Sequence, residues 1–405
     1  MKKSVFTQYV VLSLMALYLT ACSESEEFAQ NGHRVYDPDV INMNVLLDNE
    51  RSSITRAAET TLSTLETEGN SFMVWGYFSP TAQDATPGAL YVGNSDTSGT
   101  LINYSDGAWD YADPSKKALW PSRSAPLNFQ AVTPANYGTI VNSPADNVPM
   151  VAVSVTVPAD NALQKDLLFG HEENVTQDSH SSSVQLTFEH AMAQVAFQAR
   201  KTLASLSVEI GGITVHNVRN SASVGYLGGL SGDRRILDVS DYASSVSSFS
   251  VGMKASEIAI TTSTPVALSA DGGMLMMLPQ SGTKSPDAWN TSSASPVSIE
   301  TANATGSEQS YIEVVCKVHS GDMYVVGTPA AYGSIYIPFK ADWAVGCKYT
   351  YTLSFGSGAG GFDANGKPLL SIISYDVDSM ASWAEVETST LPKGTDPVNN
   401  AAEIL

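Results

Sequence analysis

Ile41, Met43, Val45 and Leu47 point one way along an extended chain, while Asn42 and Asn44 point the other. This period of two predicts a strand over residues 40–47 with one buried face. The polar run 48–56 that follows reads as a loop open to proteolysis. Ser71 to Phe78 is apolar on both faces, as an interior strand would be. Residues 127–132 form another apolar run among Gly and Pro turns. Val151, Val153, Val155 and Val157 alternate with Ala152, Ser154 and Thr156, which predicts a half-buried strand. Val184, Leu186 and Phe188 alternate, the phase breaks at His190–Met192, and Val195 and Phe197 resume on the other parity. The same stretch also makes a helical stripe, but its strand-like neighbours favour a strand with a bend. Met274–Gln280 and Tyr349–Phe355 continue the pattern in the second half. Both halves share one rhythm of short strands and turn clusters, which predicts an all-β chain of two β-sandwich domains.

Composition sharpens this picture. Hydrophobic residues make up 43% of the 405, enough for extensive cores, and charged residues only 15%. The polar surface therefore falls to Ser, Thr, Asn and Gln, as suits strands joined by the turns that 30 Gly and 19 Pro supply. The net charge of −20 repels phosphate backbones and excludes nucleic acid as a partner.

Lys2 and Lys3 precede an apolar stretch, Val5 to Leu19, that is short for a membrane span and ends in small residues. The following Leu19-Thr20-Ala21-Cys22 resembles the lipobox of bacterial lipoproteins. That resemblance implies removal of residues 1–21 and acylation of Cys22. Each buried methylene contributes about 0.8 kcal/mol, so several acyl chains (palmitate among them) hold a soluble domain on a membrane. Ser23-Glu24-Ser25-Glu26-Glu27 resembles the surface-export signal of Bacteroidetes lipoproteins; on the residues alone it reads equally as a solvated tether. Cys316 and Cys347 both sit at core-facing parity, and the exported context leaves open a disulfide or two buried thiols.

Motifs that carry chemistry are few. No His stands at metal-ligand spacing with another His or Cys, and His171-Glu172-Glu173 reads as a solvated cluster. Asp363-Ala364-Asn365-Gly366 opens like a calcium loop, but Ser374 stands where the closing Glu belongs, so a tight turn is expected. No nucleophile elbow, phosphate loop or dinucleotide fingerprint is present. Trp75, Trp109, Trp120 and Trp343 lie in strand-like segments and are assigned to cores rather than to sugar stacking. No enzyme activity, metal or cofactor is expected.

Several segments together resemble one family. They are the lipobox at Cys22, Thr55-Arg56-Ala57 after the alternating strand, Phe72 to Tyr77, and Trp120-Pro121. Leu127-Asn128-Phe129-Gln130-Ala131, Phe188-Glu189-His190-Ala191-Met192-Ala193-Gln194-Val195, Leu278-Pro279-Gln280 and Trp343 to Tyr351 follow in order. The ordered set is similar to the fimbrillin family, the Mfa-like type V pilins of Bacteroides and its relatives.

The resemblance implies a lipoprotein with two transthyretin-like Greek-key sandwiches in tandem, over 57–222 and 223–390, flanked by a tether at 22–56 and a tail at 391–405. It implies a subunit of cell-surface fimbriae on the outer membrane, with other fimbrial subunits as partners and an adhesion ligand besides. It further implies that an Arg-specific protease cuts after Arg56, with Arg51 as second choice. The strand bearing Ile41, Met43, Val45 and Leu47 would then leave, and a strand from another subunit would fill its groove. The C-terminal end departs from a strand donor: residues 382–387 alternate weakly, and Pro392 and Pro397 cannot donate to a ladder. That favours an accessory or tip subunit which accepts a strand and gives none. The alternative is a surface lipoprotein that binds glycan or host protein without polymerising.

Overall fold

The computed structural model describes residues 37–47 and 60–382, apart from 83–87, 96, 146–147, 181–182, 227–229, 232–233, 236, 241, 271, 281–297, 305–308, 357–360, 368 and 370–372. Cys22, Arg51 and Arg56 lie outside the described residues, as does the tail from 383 onward.

Almost every described element is a strand. The first part of the chain holds β1 (Met43–Leu47), β2 (Ser71–Phe78), β3 (Leu90–Val92), β4 (Thr100–Ser105), β5 (Ala108–Tyr111) and β6 (Leu127–Thr133). It continues with β7 (Thr139–Ala145), β8 (Val148–Thr156), β9 (Leu168–Val175), β10 (Val184–His190), β11 (Ala193–Lys201) and β12 (Ser207–Arg219). Then come β13 (Ser221–Gly225), β14 (Leu230–Ser231), β15 (Arg234–Arg235), β16 (Asp238–Ser240), β17 (Val246–Ser250), β18 (Ile258–Ile260) and β19 (Val266–Ala267). The last are β20 (Leu275–Met277), β21 (Tyr311–Ser320), β22 (Met323–Val326), β23 (Gly333–Pro338), β24 (Cys347–Phe355) and β25 (Ile373–Ser382). Two single-turn helices, α1 (Leu62–Leu65) and α2 (Ile299–Ala302), interrupt them.

The first sheet runs β1-β10-β9-β6-β2-β4-β5, with β3 on β2. Across it, Trp75, Tyr77, Val132 and Phe169 face a second sheet, β16-β13-β8-β7, whose Val151, Val153 and Val155 point back at them. Gln130, buried between the two, accepts a hydrogen bond from the Val151 N–H at 2.6 Å. The opposite face of the first sheet carries Phe72, Val74, Phe129, Ala131, Leu186 and Phe188 into a separate core. Apolar residues on both faces of β2 thus have two cores to fill, which is why that strand is continuously hydrophobic.

Two further sheets, β19-β11-β24-β25 with β20 on β11 and β17-β12-β21-β22 with β18 on β12 and β23 on β21, share a core that joins the one under Trp75, and β14 and β15 pair as a two-stranded ribbon. The expected bend in 184–200 is real. Strand β10 ends at His190, the chain turns at Ala191–Met192, and β11 enters a different sheet, parallel to β24. Phe197 stacks on Tyr351 at 5.5 Å, and Trp343 donates its indole N–H to the Tyr351 hydroxyl at 3.0 Å. The halves interleave: β11 and β12 pair with strands from residue 246 onward, while β13 returns to β8 and carries β16 on its other edge.

Cys316 is fully buried on β21, and Cys347 is half-buried at the start of β24 in another sheet. Both are free thiols, so the disulfide left open by the sequence is not formed, and burial pushes the Cys316 thiol up to about 12. At residues 363–366 a tight turn stands, as expected, with Asp363 Oδ1 accepting from the N–H groups of Asn365 and Lys367.

Candidate functional site

The N-terminal segment 37–47 closes the first sheet on itself. Ile41, Met43 and Val45 are 0, 2 and 1% exposed, and Leu47 packs half-buried against the same core, as the alternation predicts. Leu46, on the outward face, is 45% exposed. Burying one such side chain contributes roughly 1.5–3 kcal/mol, so β1 is held by several kcal/mol of apolar contact.

Its backbone is held unequally on its two edges. One edge lies parallel to β10, in register from Met43 against Val184 to Leu47 against Phe188. The Val184 N–H donates to the Asn42 carbonyl at 2.8 Å, and Asn44 donates to Gln185 Oε1 at 3.1 Å. The other edge meets β5 and the segment after it only around residues 39–41. There the Ile41 N–H donates to the Ala118 carbonyl at 2.8 Å, and the Trp120 N–H donates to the Asp39 carbonyl at 3.0 Å. Val40 and Leu119 form an isolated antiparallel bridge. The Tyr111 hydroxyl, buried at the end of β5, donates to the Ile41 carbonyl at 2.7 Å. Burial pushes the Tyr111 phenol well above its ordinary range and keeps it protonated as a donor.

The fit along this second edge is incomplete. Asn42, Met43, Ile102, Trp109, Asp110 and Tyr111 line a small recess at the seam. The indole N–H groups of Trp109 and Trp120 are buried without a hydrogen-bond partner. An unpaired buried donor costs about 1–3 kcal/mol.

Downstream, α1 lies beside β1, its Thr61 capping the first turn and its Leu65 reaching into the same core. The Thr60 N–H donates to Asp166 Oδ2 at 3.4 Å, and that oxygen also meets His190 Nδ1 at 2.7 Å in a buried pair. The chain beyond the 48–59 connection is thus anchored independently of β1.

Sequence reasoning found the inward face of β1 but missed Tyr111, Ala118 and Trp120. Tyr111 sits 70 residues from the carbonyl it holds, and only the return of the chain after β5 brings them together. The four described Trp, at positions 75, 109, 120 and 343, are 0–8% exposed and belong to cores, which leaves none of them free to stack on a sugar. His171 faces the Tyr226 hydroxyl at 3.1 Å, and among the described residues no group of three His, Cys, Asp or Glu side chains has metal-binding geometry.

The chain resembles known proteins over most of its length. The model of the family described as fimbrillin-like matches residues 55–368. A fimbrial protein from Bacteroides vulgatus ATCC 8482 superimposes with a TM-score of 0.56 at 15% identity, covering 85% of this chain and 99% of that one. The tip fimbrial protein Mfa3 from Porphyromonas gingivalis, truncated at its C terminus, is similar at a TM-score of 0.32 and 8% identity, covering 80% and 96%. No curated protein matches the chain.

Proposed function

The chain belongs to the fimbrillin-like family, and from that membership we propose that it is a fimbrial subunit assembled by exchange of its N-terminal strand. Family and fold make it a structural, non-enzymatic protein of cell-surface fimbriae. The finer reading runs through residues 22–56. Cys22 carries the lipid that holds the precursor on the outer membrane. Cleavage after Arg56, or after Arg51, separates that anchor and β1 from the rest.

The observation that carries this reading is the one-sided attachment of segment 37–47: buried side chains inward, a ladder from β1 to β10, and, among the described residues, three hydrogen bonds on the opposite wall, all made by residues 39 and 41. Before the cut, the connection 48–59 keeps β1 at a high effective concentration beside its slot, of order mM for a short linker. After the cut that advantage is lost, and a strand from a second subunit competes on equal terms. Departure of β1 bares the edge of β10 and the trench under Phe72, Leu186 and Phe188. An exposed edge over an apolar trench is a template for strand addition.

The prolines of the tail, with no cleanly alternating end, make this chain an acceptor that gives no strand in return. That is the position of an accessory or tip subunit supporting adhesion. Purified precursor treated with an Arg-specific protease should yield a chain beginning at Ala57 or Ser52 by mass, then lose the fragment containing β1 and take up an added fluorescent peptide of residues 37–47. A cut chain that keeps its fragment and takes up no peptide contradicts the proposal.

A further inference from the structure

We infer that the exchange is ordered along the strand: the incoming strand enters beside Leu47, at the end of β1 next to the cut, and residues 39–41 are released last. The inference rests on the strand-exchange reading above and adds where the partner strand first binds.

In an extended chain the N–H and C=O of one residue point to one edge, and those of the next residue to the other. Segment 37–47 obeys this. The Asn42 carbonyl receives the Val184 N–H, so residues 42, 44 and 46 address β10. Residues 39 and 41 address the opposite wall, where Trp120, Ala118 and Tyr111 hold them. Met43, Val45 and Leu47 address that side too, and among the described residues no strand pairs with them there. Side chains add to the difference. Gln177 donates from Nε2 to the Pro38 carbonyl at 2.9 Å and to Asp39 Oδ1 at 3.3 Å. Ile41 is fully buried, whereas Leu46 is exposed and Leu47 half-buried.

The segment is thus clamped on both edges at its start and on one edge at its end. Fraying begins at strand ends, and the singly held end frays more readily. In the uncut chain that end runs into the connection 48–59, which returns it to its place. A cut after Arg56 or Arg51 removes this restraint at the end where the hold is weaker. Each frayed residue bares more of the β10 edge, starting at Phe188, together with the trench under Phe72, Leu186 and Phe188. A second strand that pairs there can advance residue by residue, since each ladder bond lost to β1 is replaced by one to the newcomer. The contacts of residues 39–41 give way last. Prior departure of the whole segment would instead require every buried side chain and both edges to be lost together.

The test uses the full chain cut by an Arg-specific protease and mixed at once with fluorescent peptides of residues 37–47. One peptide has the natural sequence, one carries Val45→Asp and one carries Ile41→Asp. Fluorescence anisotropy follows peptide binding, and mass after filtration follows fragment release. The natural peptide should release the fragment at a rate proportional to peptide concentration, because it enters before the fragment leaves. The Ile41→Asp peptide should bind at about the natural initial rate yet release the fragment about tenfold more slowly, because it stalls short of the wall. The Val45→Asp peptide should bind about 100-fold more slowly, because its carboxylate must enter the apolar trench in the first steps. In Tyr111→Phe the natural peptide should release the fragment about tenfold faster, with its initial binding rate unchanged. Fragment release at one rate whatever the peptide concentration overturns the inference and leaves strand exchange standing. Faster entry by the Val45→Asp peptide than by the Ile41→Asp peptide does the same. Uptake of no peptide overturns the exchange reading and this inference with it. The peptide comparison on the unaltered chain is decisive whether or not the Phe variant folds.

Discussion

Val45→Asp expels β1 from the uncut chain. Val45 is 1% exposed, faces the core of Phe72 and Phe188, and stands in register with Leu186. A carboxylate there has no counter-charge among the apolar side chains around it, and burying an unpaired charge costs several kcal/mol even after relaxation. The apolar contacts of one buried residue supply roughly 1.5–3 kcal/mol, so the balance at this strand reverses. The remainder of the sheet survives, because β10 keeps its ladder to β9. Hydrogen exchange should show the Val184 amide, which bonds to Asn42, losing protection, and the variant should take up an added peptide of residues 37–47 without protease. Leu46→Asp, on the exposed face, should change neither. Retained protection at Val184 in Val45→Asp would mean that β1 is held by something other than its inward side chains.

Phe188→Ala should lose about 3–5 kcal/mol of stability. The side chain is fully buried at the centre of β10, 5.5 Å from Phe72 in an edge-to-face arrangement worth about 0.5–1.5 kcal/mol beyond area. It lies over Gly170, its partner on β9, where a Cβ would come within 2.8 Å of the ring. It also stands in register with Leu47 of β1. Its removal opens a cavity walled by two ladders that cannot collapse into it without breaking register. Urea unfolding should show the midpoint falling with an unchanged slope. A loss below about 1 kcal/mol would show that the strands close over the gap. The missing Cβ at Gly170 and the ring above it are one device: a bulky residue on β10 needs a flat place on β9.

The strands were legible because alternation is a local property. Residues 40–47, 71–78, 150–157 and 349–355 each state their buried face in their own order of side chains, and the structure buries those faces. The bend at Ala191–Met192 was legible for the same reason, since a change of parity has to move the chain to another surface. Pairing was not legible. That β13 returns to β8, while β11 and β12 join strands from residue 246 onward, follows from contacts distant in sequence that no periodicity encodes. The candidate site divides along the same line. Its inward-facing residues could be read directly. Its wall at Tyr111, Ala118 and Trp120 could not, because two of its three hydrogen-bonding groups are main-chain atoms that any sequence possesses. Trp109 and Trp120 were correctly assigned to the core, yet their unpaired indoles depend on which segment closes over them.

Strand exchange requires that β1 belong to the precursor and be gone from the assembled subunit. Mass spectrometry of the N terminus, on fimbriae sheared from intact cells and on the membrane fraction of the same cells, tests it most directly. Chains in fimbriae should begin at Ala57 and lack residues 22–56, while membrane-held chains begin at an acylated Cys22. Fimbriae built from chains that still carry residues 40–47 would contradict the account.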